Sequence, residues 1–376
     1  MNPILSVLFW TGSSKMRIKS VEKYLTGLFG RAKVTGISEL GGIPVKLEDG
    51  IKGFGYGKPY LIEFEVNGST SSVVLSSMRM QKGFGHDHFS DRAQILIWQN
   101  SVFNKLPGHV RSLDAGYFTH DGELFSAGKA EEYFILMEKI EGKEYFLDLE
   151  RIKKDGNLTQ LDKERAMALS SYLARIHANK HNDRELYLRK IRDIVGHGEC
   201  IMGLTDSYPD NLDFVSWSEL CEIEKKCVDW RYRIKGKMHR LCMTHGDFHP
   251  WNIMFREGTD FTVLDRSRGE WGEAADDVSS ITTNYIFYSL QKYGELAGPF
   301  RELYELFFNS YLEKTGDSEL LKVIQPFYIF RCLVVASPIW YPNLEPGVRT
   351  KLFNFINNVL DSKEFNYQDV NSYLQR

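Results

Sequence analysis

The run His245-Gly246-Asp247-Phe248-His249-Pro250-Trp251-Asn252-Ile253-Met254-Phe255, with Phe261-Thr262-Val263-Leu264-Asp265 after it, constrains the fold more than any other stretch. Two apolar segments, 253–255 and 262–264, flank Arg256-Glu257-Gly258-Thr259-Asp260, whose Gly and Asp favour a turn. The pattern predicts a hairpin that folds the chain back. Asn252, at the start of one strand, then stands beside Asp265, at the end of the other. Asp247, Asn252 and Asp265 offer oxygen ligands to a hard cation and leave one carboxylate to orient a hydroxyl. Mg²⁺ takes only one or two protein carboxylates and fills its shell with waters and phosphate oxygens. Two acids and an amide meet that demand and do not make a closed zinc site. His245 and His249 are four apart, but Pro250 keeps the segment from helical zinc geometry. Each acid alone is an ordinary turn or strand-end residue; the ordered set points to a site.

Length and composition narrow the setting. The 376 residues suggest two domains or two lobes, and 43% hydrophobic residues supply a core. Forty-seven basic against 50 acidic residues leave a net charge of -3, without the basic excess of a nucleic-acid coat. Cys200, Cys221, Cys227, Cys242 and Cys332 are odd in number and unpaired in spacing, so they read as small hydrophobes in a reducing compartment. The apolar stretch 3–10 is far short of a membrane span, and no signal peptide or membrane association is expected. A cytoplasmic monomer or homodimer is the expectation.

Before about residue 137 the chain is Gly-rich and then strand-like. Residues 60–66, the Asn67-Gly68 turn and 72–75 predict a hairpin. Ile95, Leu96, Trp98, Val102 and Phe103 predict a helix, and 133–137 a further strand leading into a charged stretch at 138–143. Beyond about 145 helices dominate. Thr159 with Asp162, and Ser216 with Glu219, mark two helix starts. Further helices are expected near 278–292, 296–314, 318–336 and 348–360.

The segment around Asp247 resembles the catalytic loop of the aminoglycoside phosphotransferase and choline kinase group. Its pattern is His-Gly-Asp, four residues, Asn, and an Asp after a strand. The resemblance implies a bilobal protein kinase-like α+β fold. Residues 1–137 would form a β-rich nucleotide-binding lobe with an antiparallel sheet. Residues 138–376 would form a helical lobe carrying the catalytic loop and acceptor site. It implies that Asp247 is the catalytic carboxylate, that Asn252 binds Mg²⁺ and holds Asp247, and that Asp265 is the main metal ligand. His245 enters as a loop organiser. Gly272-Glu273-Ala274-Ala275-Asp276-Asp277-Val278 resembles the family's Gly-Asp-Pro-x-x-Asp-Leu, with Asp277 bracing the loop and Ala274 in place of Pro. Leu173-Ala174-Arg175-Ile176-His177 resembles its Leu-Ala-x-Leu-His helix.

The nucleotide half departs from that pattern. Gly53, Gly55 and Gly57, followed by Lys58, are the candidate loop over the phosphates of ATP, although such glycines also make plain turns. Where kinase-like folds place a Lys or Arg on the third strand, this chain has Ser76, with Arg79 three residues on. No Glu lies between 66 and 122, so Asp91 is the candidate partner of Arg79. Met137 and Lys139 fall where the family's hinge binds adenine. Gly85-His86-Asp87-His88 has no third ligand at a metal-binding spacing and reads as a solvent-facing loop.

The expected acceptor is a small-molecule hydroxyl: a sugar, an amino alcohol or an aminoglycoside-like compound. Asp206, Asp210, Asp213, Glu270 and Glu273 would draw an amine-bearing acceptor, with Trp251, Trp271, Tyr285 and Tyr288 as an aromatic wall, although each also reads as surface or core. A Mg²⁺- and ATP-dependent phosphotransferase is one expectation. The alternative, motivated by the missing Lys–Glu pair, is a degenerate kinase-like protein that binds a nucleotide or metabolite without transfer. A protein kinase is disfavoured because no long activation segment ending in Ala-Pro-Glu is present.

Overall fold

The computed structural model describes residues 8–9, 15–40, 59–78 and 85–375. The chain forms two compact units, Met1–Met137 and Glu138–Arg376. The first is a small β-sheet region and the second larger and mainly helical, the order of a bilobal protein kinase-like fold.

In the first unit, the short strands β1 (Leu8–Phe9) and β2 (Lys15–Met16) pair ahead of helix α1 (Ile18–Phe29). Strands β3 (Ala32–Glu39), β4 (Tyr60–Val66) and β5 (Ser69–Leu75) make an antiparallel sheet. Asn67 and Gly68 both adopt positive φ, as the tight β4–β5 turn requires. Ile62 and Phe64 alternate inward to meet Val21 and Leu25 of α1. Helix α2 (Phe89–Phe103) forms over the expected stretch, but none of its residues is fully buried. A hairpin of β6 (Gly116–Phe118) and β7 (Leu124–Ser126) follows.

One sequence expectation is overturned here. Residues 133–137 do not form a strand; they lie outside every ladder of the described residues, with Phe134 93% and Leu136 91% exposed. Five β-prone side chains favour an extended backbone, but a strand also needs a neighbour to complete its hydrogen bonds.

In the second unit, β8 (Lys143–Glu144) precedes α3 (Phe146–Asp155), α4 (Gln160–His177), α5 (Arg184–Gly196), α6 (Ile201–Ser207) and α7 (Trp217–Ile234). The Thr159 and Ser216 hydroxyls cap α4 and α7 by accepting from the backbone N–H of Asp162 and Glu219. Two small ladders come next: β9 (Leu241–Met243) with β12 (Trp271–Glu273), and β10 (Ile253–Phe255) between β8 and β11 (Phe261–Val263). Helices α8 (Ala274–Tyr293), α9 (Gly298–Thr315), α10 (Gln325–Ala336), α11 (Pro346–Asp361) and α12 (Val370–Tyr373) complete it. The helix expected over 318–336 is broken into a 3-10 turn, Ser318–Lys322, and α10. Pro326 sits in the first turn of α10, where its missing N–H costs nothing but where a continuing helix would have needed one. Helix α8 is buried almost all round and forms the axis of the core, with Tyr285 and Tyr288 inside it. These tyrosines are core residues and not a substrate wall. Among the described residues no helix is long and apolar enough to cross a membrane.

Candidate active site

The loop 244–252 hangs between β9 and β10 and is pinned from beneath by one buried carboxylate. Asp277, at the start of α8, accepts from the backbone N–H of Gly246 at 2.7 Å through Oδ1, and from that of His245 at 2.8 Å through Oδ2. His177, closing α4, meets Asp277 Oδ2 at 3.1 Å through Nε2 and the Tyr311 hydroxyl at 2.7 Å through Nδ1. Burial pushes the Asp277 pKa up, but His177 and the His245 N–H outweigh it and leave it lowered. Gly246 adopts φ +85°, and a Cβ there would come within 2.9 Å of the Arg268 Cβ, so the turn needs glycine.

His245 is buried, and its Nδ1 accepts from the backbone N–H of Asp247 at 3.3 Å. Burial keeps its imidazole pKa low despite Asp277 nearby, so it stays neutral. Asp247 projects from the loop with its two oxygens in different surroundings. Oδ1 accepts from Arg331 Nη1 at 2.5 Å. Oδ2 faces Asn252 Nδ2 and His249 Nε2, each at 3.4 Å. Burial alone would raise its pKa; His249 and the Arg331 charge outweigh burial and hold the carboxyl well below the usual range.

The hairpin does what its spacing predicts. Asn252 Nδ2 also donates to the Asp247 carbonyl at 3.1 Å, while its own backbone oxygen accepts from Leu264 N at 2.8 Å. Asp265 therefore follows immediately beside Asn252. It is exposed, adopts φ +54°, and among the described residues no group hydrogen-bonds its carboxylate. A non-glycine residue in the left-handed region costs about 1–2 kcal/mol and is concentrated at functional sites. With Nδ2 committed to Asp247, Asn252 retains Oδ1 as an acceptor. One carboxylate and one amide oxygen fit Mg²⁺, which keeps water and phosphate in its shell. Among the described residues no group of three or more His, Cys, Asp or Glu side chains is placed to hold a metal ion.

Arg331 is the residue that the sequence reading missed. From α10 it donates to Asp247, to Asp276 Oδ1 at 2.6 Å and to the Gly246 carbonyl at 2.9 Å. The available signal was a lone charge in the otherwise apolar run Phe327-Tyr328-Ile329-Phe330-Arg331-Cys332-Leu333. Glu273, expected at an acidic rim, is instead 2% exposed and bound to Arg240 and Tyr187. Asp206, Asp210, Asp213 and Glu270 are exposed. Trp251 and Trp271 are half-buried and stack on Phe146 and His181.

Of the nucleotide-half candidates, Gly53, Gly55, Gly57 and Arg79 lie outside the described residues. Asp91 caps α2, its Oδ2 accepting from His88 N at 2.8 Å. Met137 and Lys139 flank the junction of the two units; Met137 is exposed, and Lys139 pairs with Glu141 at 2.6 Å.

No protein-family model and no curated protein matches the chain. Among solved structures, an ethanolamine kinase of Plasmodium vivax is 16% identical, with a TM-score of 0.35 over 84% of this chain and 78% of its own. An amicoumacin kinase is 13% identical, at 0.42 over 85% and 90%. A spectinomycin phosphotransferase is 12% identical, at 0.31 over 96% and 98%. At scores this low the likeness carries no weight, and the site is read from its own geometry.

Proposed function

We propose that the chain is a Mg²⁺- and ATP-dependent phosphotransferase acting on a hydroxyl of a small molecule. One observation carries this: the loop and hairpin bring together an ionised Asp247, the Asn252 amide and Asp265, whose carboxylate has no hydrogen-bond partner among the described residues.

In this reading Asp265 and Asn252 Oδ1 would hold the cation, which when bound would supply neutralisation of phosphate charge. Asp247 accepts a hydrogen bond from the acceptor hydroxyl and orients it. As the hydroxyl oxygen bonds to the γ-phosphorus, the bond from phosphorus to the bridging oxygen breaks, ADP leaves, and the hydroxyl proton passes by way of Asp247 to solvent. Such transfers need placement and charge neutralisation more than a strong base, so a carboxylate of low basicity suits the task. Asn252 keeps Asp247 in place, while His245 and Asp277 fix the loop.

The test is transfer of ³²P from γ-labelled ATP to a panel of sugars and amino alcohols by the full chain. Transfer should require Mg²⁺, and Asp265→Ala should lower it by about two to three orders of magnitude. Transfer that is insensitive to both chelator and Asp265→Ala would overturn the assignment. Nucleotide binding without transfer to any acceptor would favour the non-transferring alternative.

A further inference from the structure

We propose that the acceptor is itself an anion, and that Arg268, Lys190 and Arg331 form a seat beside Asp247 for its carboxylate, sulfate or phosphate group. This rests on the phosphotransfer reading of the same loop and names the class of molecule it would act on.

The three cations come from separate elements. Arg268 lies in the loop after β11 and packs on Gly246, its Cβ 2.9 Å from where a Cβ of residue 246 would stand. Its guanidinium lies 4.8 Å from the centre of the Phe330 ring, and that of Arg331 4.5 Å from the same ring. Lys190, on α5, donates through Nζ to the Arg268 carbonyl. Arg331 and the Arg268 Cβ therefore both lie against Gly246, the residue next to Asp247, and Lys190 is tied to Arg268.

Their partners are unequal. Arg331 is matched by Asp247 and Asp276. Arg268 forms no ion pair with a carboxylate among the described residues; its Nη1 meets Cys200 Sγ at 3.0 Å, and its buried Nε has no hydrogen-bond partner. The buried Nε of Arg331 also lacks one. Lys190 is bonded to a carbonyl and forms no ion pair with a carboxylate among the described residues, and burial lowers its pKa. Asp276 acts on Arg268 as well as Arg331, and Asp193, already paired with Arg189 and Arg192, acts on Lys190, so these cations share carboxylates that other cations already hold. Guanidinium and ammonium groups taken out of water with only a shared counter-charge are costly, and a planar anion that takes two parallel N–H bonds relieves that cost.

The cluster lies by Oδ1 of Asp247, the oxygen turned away from Asn252. Oδ2 faces Asn252, the candidate metal ligand, whereas Oδ1 faces Arg331 and, beyond it, Phe330 and Arg268. Two acids of this unit are already held by cations, while Asp206, Asp210, Asp213 and Glu270 are exposed. Glu273 is bound to Arg240, and Asp276 is bound to Arg331.

The first experiment uses inorganic sulfate as the probe, titrated calorimetrically into the full chain loaded with Mg²⁺ and ADP. Sulfate should bind, and Arg268→Glu and Lys190→Met should each weaken it by about 10- to 100-fold without changing ADP affinity. Circular dichroism melts check that both variants fold, and Arg268→Gln serves if the charge reversal does not. The second assay measures transfer from ATP to matched acceptors: gluconate, glucose and glucosamine, and glycerate, glycerol and serinol. The carboxylate-bearing members should have the highest kcat/KM, and Arg268→Glu should abolish that preference. Unchanged sulfate affinity in the variants, preference for the amines, or a loss of ADP affinity in place of sulfate affinity would overturn the inference. The last result would assign the cations to the nucleotide phosphates. Sulfate binding that Arg268→Glu abolishes, in a chain that transfers to nothing, would refute phosphotransfer and leave the anion seat standing.

Discussion

Replacing Asp277 by Asn isolates the support beneath the loop, because the two side chains differ in shape by almost nothing. The carboxylate is fully buried and accepts from Gly246 N, His245 N and the His177 ring. An amide offers one oxygen. If that oxygen faces Gly246, the NH₂ confronts the His245 N–H; reversed, it confronts the Gly246 N–H. His177 can adapt by changing tautomer, but a backbone N–H cannot. One buried donor is therefore orphaned in either orientation, at about 1–3 kcal/mol, and the remaining bonds lose their charge assistance, about 1 kcal/mol more. We expect a loss of about 3 kcal/mol in urea unfolding followed by tryptophan fluorescence, and a melting temperature lower by roughly 6–12 °C. Asp277→Ala, which strands all three donors, should cost more. If the asparagine variant unfolds within about 0.5 kcal/mol of the parent, Asp277 does not carry the loop.

Two further outcomes can be stated. Arg331→Met should destabilise the chain by about 3–5 kcal/mol, because it leaves Asp247 and Asp276 partly buried and unpaired; adding Asp276→Asn should recover part of that loss, and full additivity of the two would show that the groups do not interact. Glu319 is affected first by burial, which raises its pKa, but hydrogen bonds from Lys237 and His239 and the charge of Arg240 bring it down to about 2. Its folded value lies below the ordinary 4.5, so this contribution is present above pH 4.5 and lost as pH falls toward 2. After discounting for partial exposure it is on the order of 1–2 kcal/mol, measurable as a shallower acid loss of stability in Glu319→Gln.

Single elements were legible because they rest on local patterns that need no partner, whereas the bilobal class came from the resemblance carried by the Asp247 loop. Thr159 and Ser216 announce helix starts by side chain-to-backbone bonds closed within one turn, and Asn67-Gly68 announces a hairpin by its backbone preference. Asn252 and Asp265 were brought together on paper by a turn between two short apolar runs, and the ladder Ile253↔Val263 to Phe255↔Phe261 is that turn made real. Residues 133–137 show the limit of such inference. Their composition favours extension, but which strand would complete their backbone bonds is a question of position, and composition is silent on it.

Charge partners mark the same limit more sharply. Acids of the loop are close in sequence and could be grouped by spacing, whereas Arg331 reaches Asp247 across 84 positions and Lys190 reaches Arg268 across 78. No periodicity links residues that far apart; only the packing of α5 and α10 on the loop does. A sequence count therefore sees Asp206, Asp210, Asp213, Glu270 and Glu273 and reads an acidic rim fit for an amine. Of these Glu273 is held by Arg240 and the other four are exposed, and the acids of the loop are largely taken up by their own partners. Asp277 is consumed by backbone N–H groups, Asp276 and one oxygen of Asp247 by Arg331, and Asp265 has no hydrogen-bond partner among the described residues. What is left over beside the loop is positive, held by Arg268 and Lys190, and the partner such a surplus selects is an anion.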